Sequence, residues 1–518
     1  MSSVIGIDLG TVKTTAAVVK DGKLILIPDA EGGAPAVVAV TPEGQFLVGT
    51  RAQKQSLLAP HTTISAIKRF LGRSYENVAP AETGRVPYGV ERGPHDTVCI
   101  RVHERLYVPE QLVALLLRQL LNDAARVIGQ HTHEVVIAVP ASFTHAQRQA
   151  VCDAATIAGC QVRQLINEPT ATALAYSMKT QQSATVMVVD VGSGTCEVSI
   201  AEIGGGACEV RASVGDLCLG SRDFDHCLVD YAVDVLRRQY GIDPQADRHA
   251  LQRLCEAAEQ VRYELASVMQ SILQLPHLVV GSHGPFHFNV PLSRAQFTAL
   301  AAPLAQRCTA LIEQALGDAK MNPQDVDVVL LAGGATRMPL VREFVKKLMN
   351  SRTLLVHPDE GVATGAALRA RMLSGLESGL LFDVTPLALS VGTPRGDVVP
   401  VIERNTPLPW RVTKLFSPAD RDPSTIKLIV LQGGRETPAG AQRTGEVTIA
   451  GIRPTPRGTS DVAVTFTLDE NGLLTIEARD HGTGTPLTVI ISNPANLPRD
   501  EVERRRNELR FLSALTTA

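Results

Sequence analysis

Two distant segments of the chain share one pattern, in which an apolar strand ends in an Asp and is followed by a tight turn rich in Gly and hydroxyl residues. The first copy occupies residues 4–11 (VIGIDLGT) and the second occupies residues 188–195 (VVDVGSGT). Glycine permits a turn with positive φ, and backbone N–H groups in such a turn can approach a phosphate closely. Each Asp can bind Mg²⁺ through the waters of the ion. The duplication therefore predicts two related lobes that hold a polyphosphate between them.

Size and composition set the class of protein. A chain of 518 residues should form more than one domain, because single hydrophobic cores stop growing near roughly 250–300 residues. The 50 basic and 53 acidic residues give a net charge of −3, so no overall field favours nucleic acid or an anionic membrane. No run approaches the roughly 20 apolar residues that span a bilayer, and no secretory signal precedes the first strand. We expect a cytoplasmic protein that binds neither nucleic acid nor membrane.

The order of the predicted elements divides the chain. Up to about residue 370, apolar strands alternate with amphipathic helices, which is typical of α/β layers. A short apolar link follows, and then apolar and polar residues alternate; residues 462–478 do so around an Asn-Gly turn, which predicts a hairpin within a β-sandwich. The predicted units are a two-lobed α/β domain (1–374), an interdomain linker (375–383), a β-sandwich (384–495) and a C-terminal helical stub (496–518).

A third glycine-rich turn occupies residues 333–337 (GGATR), between a predicted strand that ends at Ala332 and a predicted helix that begins at Met338. Backbone N–H groups at a strand-to-helix turn commonly bind phosphate. Alone, this pattern is also that of an ordinary β–α turn. Together with the two Asp turns, it predicts a third wall of a single nucleotide site.

Taken together, these elements resemble the actin-like ATPase superfamily, and in detail the 70-kDa heat-shock (DnaK-type) chaperones. Six segments stand in the order and spacing of that family: 5–11 (IGIDLGT), 66–69 (AIKR), 139–143 (VPASF), 166–171 (INEPTA), 333–337 (GGATR) and 383–387 (DVTPL). The resemblance extends to about Leu509. It implies an actin-like ATPase domain made of duplicated ribonuclease-H-like halves, an all-β sandwich that binds peptides, and a short C-terminal helix.

The resemblance also implies a role for each matched residue in a site for ATP or ADP and Mg²⁺, with K⁺ as a further candidate ion. The implied catalytic residues are Lys68, Glu168, Asp190, Thr195 and Asp8. Among them, Lys68 would orient the attacking water, and Asp8 and Asp190 would lie on the metal side. The residues implied to contact the nucleotide are Gly10, Thr11, Val12, Gly192, Ser193, Gly194, Glu259, Arg262, Gly333, Gly334, Ala335, Arg337 and Asp359.

The same resemblance implies a peptide cleft and a switch between the domains. The residues implied to line or arch over the cleft are Val391, Pro394, Phe416, Ala419, Ile426, Leu428 and Val462. Those implied to transmit the nucleotide state are Pro140, Arg148, Leu380 and Leu381. Unfolded or nascent polypeptides are the implied substrates, and a J-domain co-chaperone and a nucleotide exchange factor are the implied partners. We expect the family's helical lid to be missing apart from the stub.

Departures from the family pattern leave alternatives open. Val12 and Lys13 stand where a hydroxyl is usual, Ser193 replaces a Gly, and Glu197 replaces an Asp. These changes favour slow hydrolysis over loss of nucleotide binding. We expect an ATP-dependent chaperone that binds extended hydrophobic peptide segments of unfolded proteins, with an affinity switched by ATP binding and hydrolysis. The alternative is a regulatory relative that binds ATP, hydrolyses it poorly and acts as a scaffold or co-chaperone. A sugar kinase or a filament-forming actin relative is more distant, because neither chemistry requires the C-terminal sandwich.

Overall fold

Two open sheets, each built around one copy of the repeated pattern, organise the first part of the chain. The computed structural model describes residues 4–28, 35–178, 180, 182–281, 284–349, 353–355, 360–393, 396–418, 424–433, 441–452, 454–455, 458–459, 461–492 and 495–516. The first sheet has the strand order Gln161–Asn167, Glu134–Val139, Ile5–Leu9, Thr14–Lys20, Lys23–Ile27. The second has the order Thr353–Leu355, Val328–Ala332, Ala184–Val191, Cys196–Gly204, Ala207–Asp216, Leu380–Phe382.

The two sheets repeat one local topology, which is the structural counterpart of the sequence repeat. In each, the strand that carries the Asp pairs in parallel with one neighbour and antiparallel with the strand that follows its own turn. The Asp strands are almost continuously apolar and are buried, as expected of strands covered on both faces. We refer to the regions around the two sheets as the first lobe and the second lobe.

Helices cover both sheets and contribute to the contact between the lobes. Their bounds are Thr50–Gln53, Pro80–Gly84, Pro109–Ile128, His145–Ala158, Glu168–Ser177, Ser221–Val235, Arg248–Leu265, Arg294–Ala319, Pro339–Met349, Gly361–Leu373 and Arg499–Thr516. Glu168–Ser177 and Gly361–Leu373 pack against each other, and the second of these helices also packs on Ile5–Leu9. No helix in the described part of the chain is long and apolar enough to cross a membrane.

Short strands form the outer parts of the lobes. The first lobe carries two small sheets, with strands Val38–Val40, Phe46–Val48 and Thr63–Ile64, and Gly89–Arg92, Val98–Val102 and Arg105–Tyr107. The second lobe carries the antiparallel pair Gln270–Gly281 and Gly284–Ser293. Each lobe has its own large apolar core.

The C-terminal part is rich in β-strands, as predicted. A five-stranded sheet has the order Val398–Ile402, Leu389–Gly392, Thr425–Gly433, Ala441–Ala450, Thr488–Ser492, and a three-stranded sheet has the order Trp410–Phe416, Val462–Leu468, Leu474–Asp480. Val384–Thr385 pairs with Thr406–Pro407, and Pro454–Thr455 pairs with Gly458–Thr459. The predicted Asn-Gly hairpin is confirmed by the pairing of Leu468 with Leu474. Side chains from both large sheets form one core, which confirms the predicted sandwich.

The segments before and after this sandwich both pack on the lobes. Leu380–Phe382 adds a parallel strand to the second sheet beside Ala207–Glu209, which leaves Leu380 60% exposed and Phe382 47% exposed. The C-terminal helix, Arg499–Thr516, packs on helix His145–Ala158. Its Val502 and Leu509 are buried in the core of the first lobe. The predicted fold class, an α/β two-lobed domain followed by a β-rich domain and a C-terminal helix, is therefore confirmed.

Candidate functional site

A cavity of about 240 Å³ lies between the lobes, where the three glycine-rich turns meet. Most of the residues predicted to bind nucleotide or to act in catalysis line it. These are Asp8, Gly10, Thr11, Val12, Lys68, Glu168, Asp190, Gly192, Ser193, Thr195, Glu259, Arg262, Gly333, Gly334 and Arg337. Gly194 and Ala335 are not among the lining residues, and Asp359 lies outside the described residues.

The three turns approach one another so closely that side chains are excluded at two positions. A Cβ on Gly194 would lie 2.7 Å from Thr11 Oγ1, so the two Asp turns face each other with no room for a larger residue. Gly333 has φ of +78°, and a Cβ there would lie 2.6 Å from Asp190 Oδ1. Gly194 therefore acts by bringing the turns together. The resulting cradle of backbone N–H groups and Thr hydroxyls fits a polyphosphate.

Lys68 and Glu168 form a buried ion pair at the floor of the cavity. Lys68 Nζ lies 2.5 Å from Glu168 Oε1, and their side chains are only 5% and 9% exposed. Ala66, in a left-handed conformation with φ of 55°, turns the chain into the short helix that presents Lys68. Glu168 begins a helix directly after strand Gln161–Asn167. A fixed ammonium group in such a water-poor site can stabilise charge that develops on a phosphoryl group.

Further carboxylates lie near this pair, and their charge favours the binding of a cation in the site. Burial and the neighbouring Glu168, Glu197 and Asp8 raise the pKa of Asp190 well above its ordinary value. Burial and Glu168 also raise the pKa of Glu197 to about 7. The described residues contain no group of three or more His, Cys, Asp or Glu side chains that could hold an ion by themselves. Asp8 and Asp190 instead fit the way Mg²⁺ is usually held, by one or two carboxylates together with waters and substrate phosphates.

The opposite end of the cavity presents flat surfaces suited to a nucleoside. Arg262 Nε donates to Asp225 Oδ1 at 2.5 Å, and its guanidinium carbon lies 4.3 Å from the ring centroid of Tyr263. Glu259 Oε1 lies 3.6 Å from Arg262 Nη2. The ion pairs fix the guanidinium plane, and a base can stack on such a plane or on an aromatic ring.

Glu197 connects the cavity to the loop that follows strand Glu134–Val139. Its two carboxylate oxygens accept hydrogen bonds from Ala141 N at 2.9 Å and from Ser142 N at 3.0 Å. This loop begins at Pro140, which is buried. A carboxylate that bonds two successive backbone N–H groups holds the loop in one position relative to the second lobe.

Arg148 extends this connection to the sandwich. Its Nη2 donates to Ala141 O at 2.8 Å and to Asn167 Oδ1 at 2.7 Å, and its Nη1 donates to Asn471 O in the sandwich hairpin at 3.2 Å. Asn167 Nδ2 in turn donates to Asp383 Oδ2, at the end of the linker, at 3.0 Å. Burial lowers the pKa of Arg148, whereas Asp383 and Glu197 oppose that effect. The buried guanidinium thus joins the loop, the strand before Glu168 and the sandwich.

Further hydrogen bonds hold the sandwich against the lobes. His145 N donates to Gln432 Oε1 at 2.8 Å, and Leu165 N donates to Asn471 Oδ1 at 2.8 Å. Leu381, in the linker strand, packs against apolar clusters of both lobes. The predicted switch residues Pro140, Arg148, Leu380 and Leu381 therefore all lie along the junction between the lobes and the sandwich.

The predicted peptide-lining residues lie inside the sandwich. The side chains of this set are buried and belong to one apolar core: Val391, Phe416, Ile426, Leu428 and Val462. The Phe416 ring packs edge-to-face on Phe466 with centroids 6.4 Å apart. In this conformation they contact one another and do not face solvent. Pro394 and Ala419, predicted to arch over a peptide, lie outside the described residues.

Several residues that line the cavity were not predicted as site residues. They are Lys13, Thr15, Ser221 and Val362. Tyr263 lines the cavity as well, and the family resemblance places that position near the adenine. Lys13 and Thr15 follow directly after the first Asp turn, so proximity to the motif could have identified them. Tyr263 follows Arg262, but nothing in its local pattern shows that the arginine stacks on its ring.

Comparison with known proteins identifies relatives of nearly the whole chain. The family model "Hsp70 protein" matches residues 4–513. Chaperone protein dnaK3 of Thermosynechococcus vestitus is 42% identical over 510 residues, covering 97% of this chain and 75% of that protein. Chaperone protein DnaK of Thermus thermophilus is 41% identical over 510 residues, covering 97% and 83% of the two chains. Chaperone protein dnaK of Cyanidioschyzon merolae is 41% identical over 514 residues, covering 98% and 84%.

Proposed function

The chain belongs to the Hsp70 protein family, and from that premise we propose that ATP held between its lobes controls how firmly its sandwich binds extended apolar peptide segments. As a DnaK-type member of the family it is an ATP-dependent chaperone and an ATPase. The observation that carries the proposal is the hydrogen-bonded path from the strand before Glu168, through Asn167 and Arg148, to the linker and the sandwich.

We assign the chemistry of the cavity to the side chains that line it. Bound Mg²⁺ and ATP supply the divalent cation and the γ-phosphoryl group. Lys68, fixed by Glu168, would position the attacking water and stabilise the charge that develops as that group is transferred. Asp8 and Asp190 would orient the waters of the ion, and Thr11 and Thr195 would donate to phosphate oxygens. Because Val12, Ser193 and Glu197 depart from the family pattern, we expect turnover to be slow.

The switch depends on Glu197 and Arg148. Glu197 would respond to charge in the cavity, because burial and the nearby Glu168, which lines the cavity, raise its pKa. It also holds the loop after Pro140. Arg148 bonds the same loop and the sandwich hairpin. A nucleotide that favours this position of the loop would therefore favour the docked sandwich, and the coupling must be reciprocal: a peptide that disfavours docking would lower the affinity for that nucleotide.

Peptide binding is assigned to the sandwich between residues 384 and 495, with the α/β domain ending near residue 374 and a linker between them. The five proposed lining side chains are buried in the docked arrangement. A peptide would have to displace their mutual contacts, and it would then bind through backbone hydrogen bonds and side-chain pockets as an added strand does. This arrangement supports weak peptide binding in the docked state. Unfolded polypeptides are the proposed substrates, and a J-domain protein and a nucleotide exchange factor the proposed partners.

The test is an ATPase assay on the full chain, alone and with an apolar Leu- and Ile-rich peptide, a J-domain protein, or both. We expect slow basal hydrolysis that the combination stimulates. As a control, the same peptide with its Leu and Ile residues replaced by Ser should have no effect. ATP binding without stimulation by any of these would contradict the coupled cycle and would favour the regulatory scaffold.

A further inference from the structure

A larger cavity lies away from the nucleotide site, between the first lobe and the C-terminal helix. Its volume is about 610 Å³. Helix His145–Ala158 and the strand that follows it form one side, and Arg506 and Arg510 of the C-terminal helix form the other. We call this space the helix–lobe groove.

The described residues that line the groove include cationic groups and no carboxylate. Arg506 and Arg510 are four positions apart on one helix, so their side chains lie on the same face, and His133 lines the groove as well. Arg506 Nη1 lies 3.5 Å from Glu503 Oε1. Its Nε, however, is buried and has no hydrogen-bond partner among the described residues. A buried donor without a partner is costly, so this atom marks a place where an acceptor is missing.

The remaining wall is neutral. Cys152, Cys160 and Val162 line it. Burial raises the pKa of both thiols to about 12, so they stay protonated and add no negative charge. The groove therefore combines a cationic side with a neutral, partly apolar side.

We propose that the helix–lobe groove binds a small organic anion, whose phosphate or carboxylate group is held by Arg506 and Arg510 and whose apolar body lies against Val162 and Cys152. A guanidinium fork matches both oxyanion groups and makes strong charge-assisted hydrogen bonds to them. The ligand would give the Arg506 guanidinium an acceptor in addition to Glu503. The site is separate from the proposed ATP and peptide sites and shares no lining residue with the cavity between the lobes.

Such a ligand would also hold the C-terminal helix on the first lobe, because it would contact both. The helix is attached there by the buried Val502 and Leu509, and by a hydrogen bond from Arg505 Nη1 to Gln111 Oε1 at 2.7 Å. A ligand that binds only when the helix is docked shifts the population toward the docked state. The groove is thus a place where a metabolite-sized anion can regulate the position of this helix.

The experiment is isothermal titration calorimetry of the full chain, saturated with Mg²⁺ and a non-hydrolysable ATP analogue so that the phosphate turns are filled. Phenyl phosphate and benzoate are the two anionic probes, and benzyl alcohol is the neutral control. We expect at least one anion to bind with saturable one-to-one stoichiometry and benzyl alcohol not to bind. The better anion identifies the oxyanion class, and its binding should slow amide hydrogen exchange across residues 499–510.

Matched variants locate the binding. Arg506→Gln should weaken the binding of the better anion at least about tenfold, and Arg506→Lys, which keeps the charge without the fork, should weaken it less. Arg504→Gln removes the same charge from an exposed position on the same helix, where Arg504 pairs with Glu501, and should leave affinity unchanged. Circular dichroism checks that each variant is folded. Lack of saturable binding by both anions, or equal losses in Arg506→Gln and Arg504→Gln, would overturn the proposal.

Discussion

Asn167 donates a hydrogen bond from Nδ2 to Asp383 Oδ2 at 3.0 Å, and it stands directly before Glu168 in the chain. One residue thus joins the proposed catalytic carboxylate to the end of the linker. Asn167 Oδ1 also accepts from Arg148, so both polar ends of its amide are used. A shift of the Glu168 backbone would therefore be transmitted to the linker through the adjacent Asn167 and the hydrogen bond of its side chain to Asp383.

Asn167→Ala should weaken the docking of the sandwich while sparing ATP affinity. The change removes one hydrogen bond from the buried Arg148 and one from the half-buried Asp383, which together cost about 2 kcal/mol, or roughly thirtyfold in the docking equilibrium. Fluorescence energy transfer between dyes on the first lobe and the sandwich measures docking with and without ATP. Asn77→Ala is the control, because Asn77 also contacts the sandwich, at Arg443 O, but in an exposed position. Equal effects of the two changes would contradict the specific role of Asn167.

The double change Leu380→Asp and Leu381→Asp should abolish the effect of ATP binding on peptide binding, and the reverse effect, while both ligands still bind. Docking of the linker buries part of these side chains, and full burial of one such apolar side chain is worth about 1.5–3 kcal/mol. Two carboxylates would remove that gain and would face the sheet edge at Ala207–Glu209. We expect ATP and peptide each to bind as in the parent, without affecting each other. If ATP still accelerates peptide release in the double variant, the linker does not carry the coupling.

Lys68→Ala should retain ATP binding and lose most hydrolysis. The lysine acts by position and charge in the transition state, and loss of one such donor lowers turnover by about 10²–10³. Single-turnover hydrolysis and equilibrium binding of a fluorescent ATP analogue measure the two effects separately. Lys23→Ala, an exposed lysine on a strand of the same lobe, is the control for loss of charge. Hydrolysis by Lys68→Ala at the rate of the parent would show that the catalytic assignment is wrong.

The buried Glu110 should make the first lobe less stable at alkaline pH. Burial raises its pKa to about 8 from the ordinary 4.5, aided by Asp153 and opposed by a backbone hydrogen bond and Arg505. Between those pH values the unfolded chain has lost this proton and the folded chain keeps it. The stability that Glu110 contributes is therefore complete below its unfolded pKa and is lost as pH rises through the folded pKa.

Glu110→Gln removes this titration while keeping the shape of the side chain. Relative to the parent, the variant should gain thermal stability as pH rises from about 5 to about 8.5. Melting temperatures of both proteins at several pH values provide the measurement, and Glu104→Gln, an exposed change nearby, should show no such trend. A constant difference between Glu110→Gln and the parent at all pH values would contradict the assignment.

Local patterns in the sequence were sufficient to predict the two lobes and the glycine-rich turns that form the site between them. The repeated turns after Asp8 and Asp190 predict two like lobes, because strand, Gly and hydroxyl residues follow one another within a few positions. The pairing of Lys68 with Glu168 could not be read in this way, since the two are separated by 100 positions. Only the family resemblance brought them together.

The contacts of the sandwich core and of the C-terminal helix could not be predicted from local sequence patterns either. Alternation of apolar and polar residues predicts strands around Ile426 and Val462, but it cannot distinguish a wall that receives a peptide from an ordinary core. Both side chains are packed within the core in this conformation. The helix–lobe groove could not be predicted either, because Cys152 and Arg506 come from distant segments that meet only when the helix docks.

The rate at which a fluorescent apolar peptide leaves the protein shows whether ATP controls the affinity for peptide. The peptide is bound first in the presence of ADP, and the complex is then mixed in a stopped-flow instrument with excess unlabelled peptide and either Mg²⁺–ATP or Mg²⁺–ADP. We expect release at least about tenfold faster with ATP, since the docked state favours weaker binding. Equal release rates with the two nucleotides would contradict it.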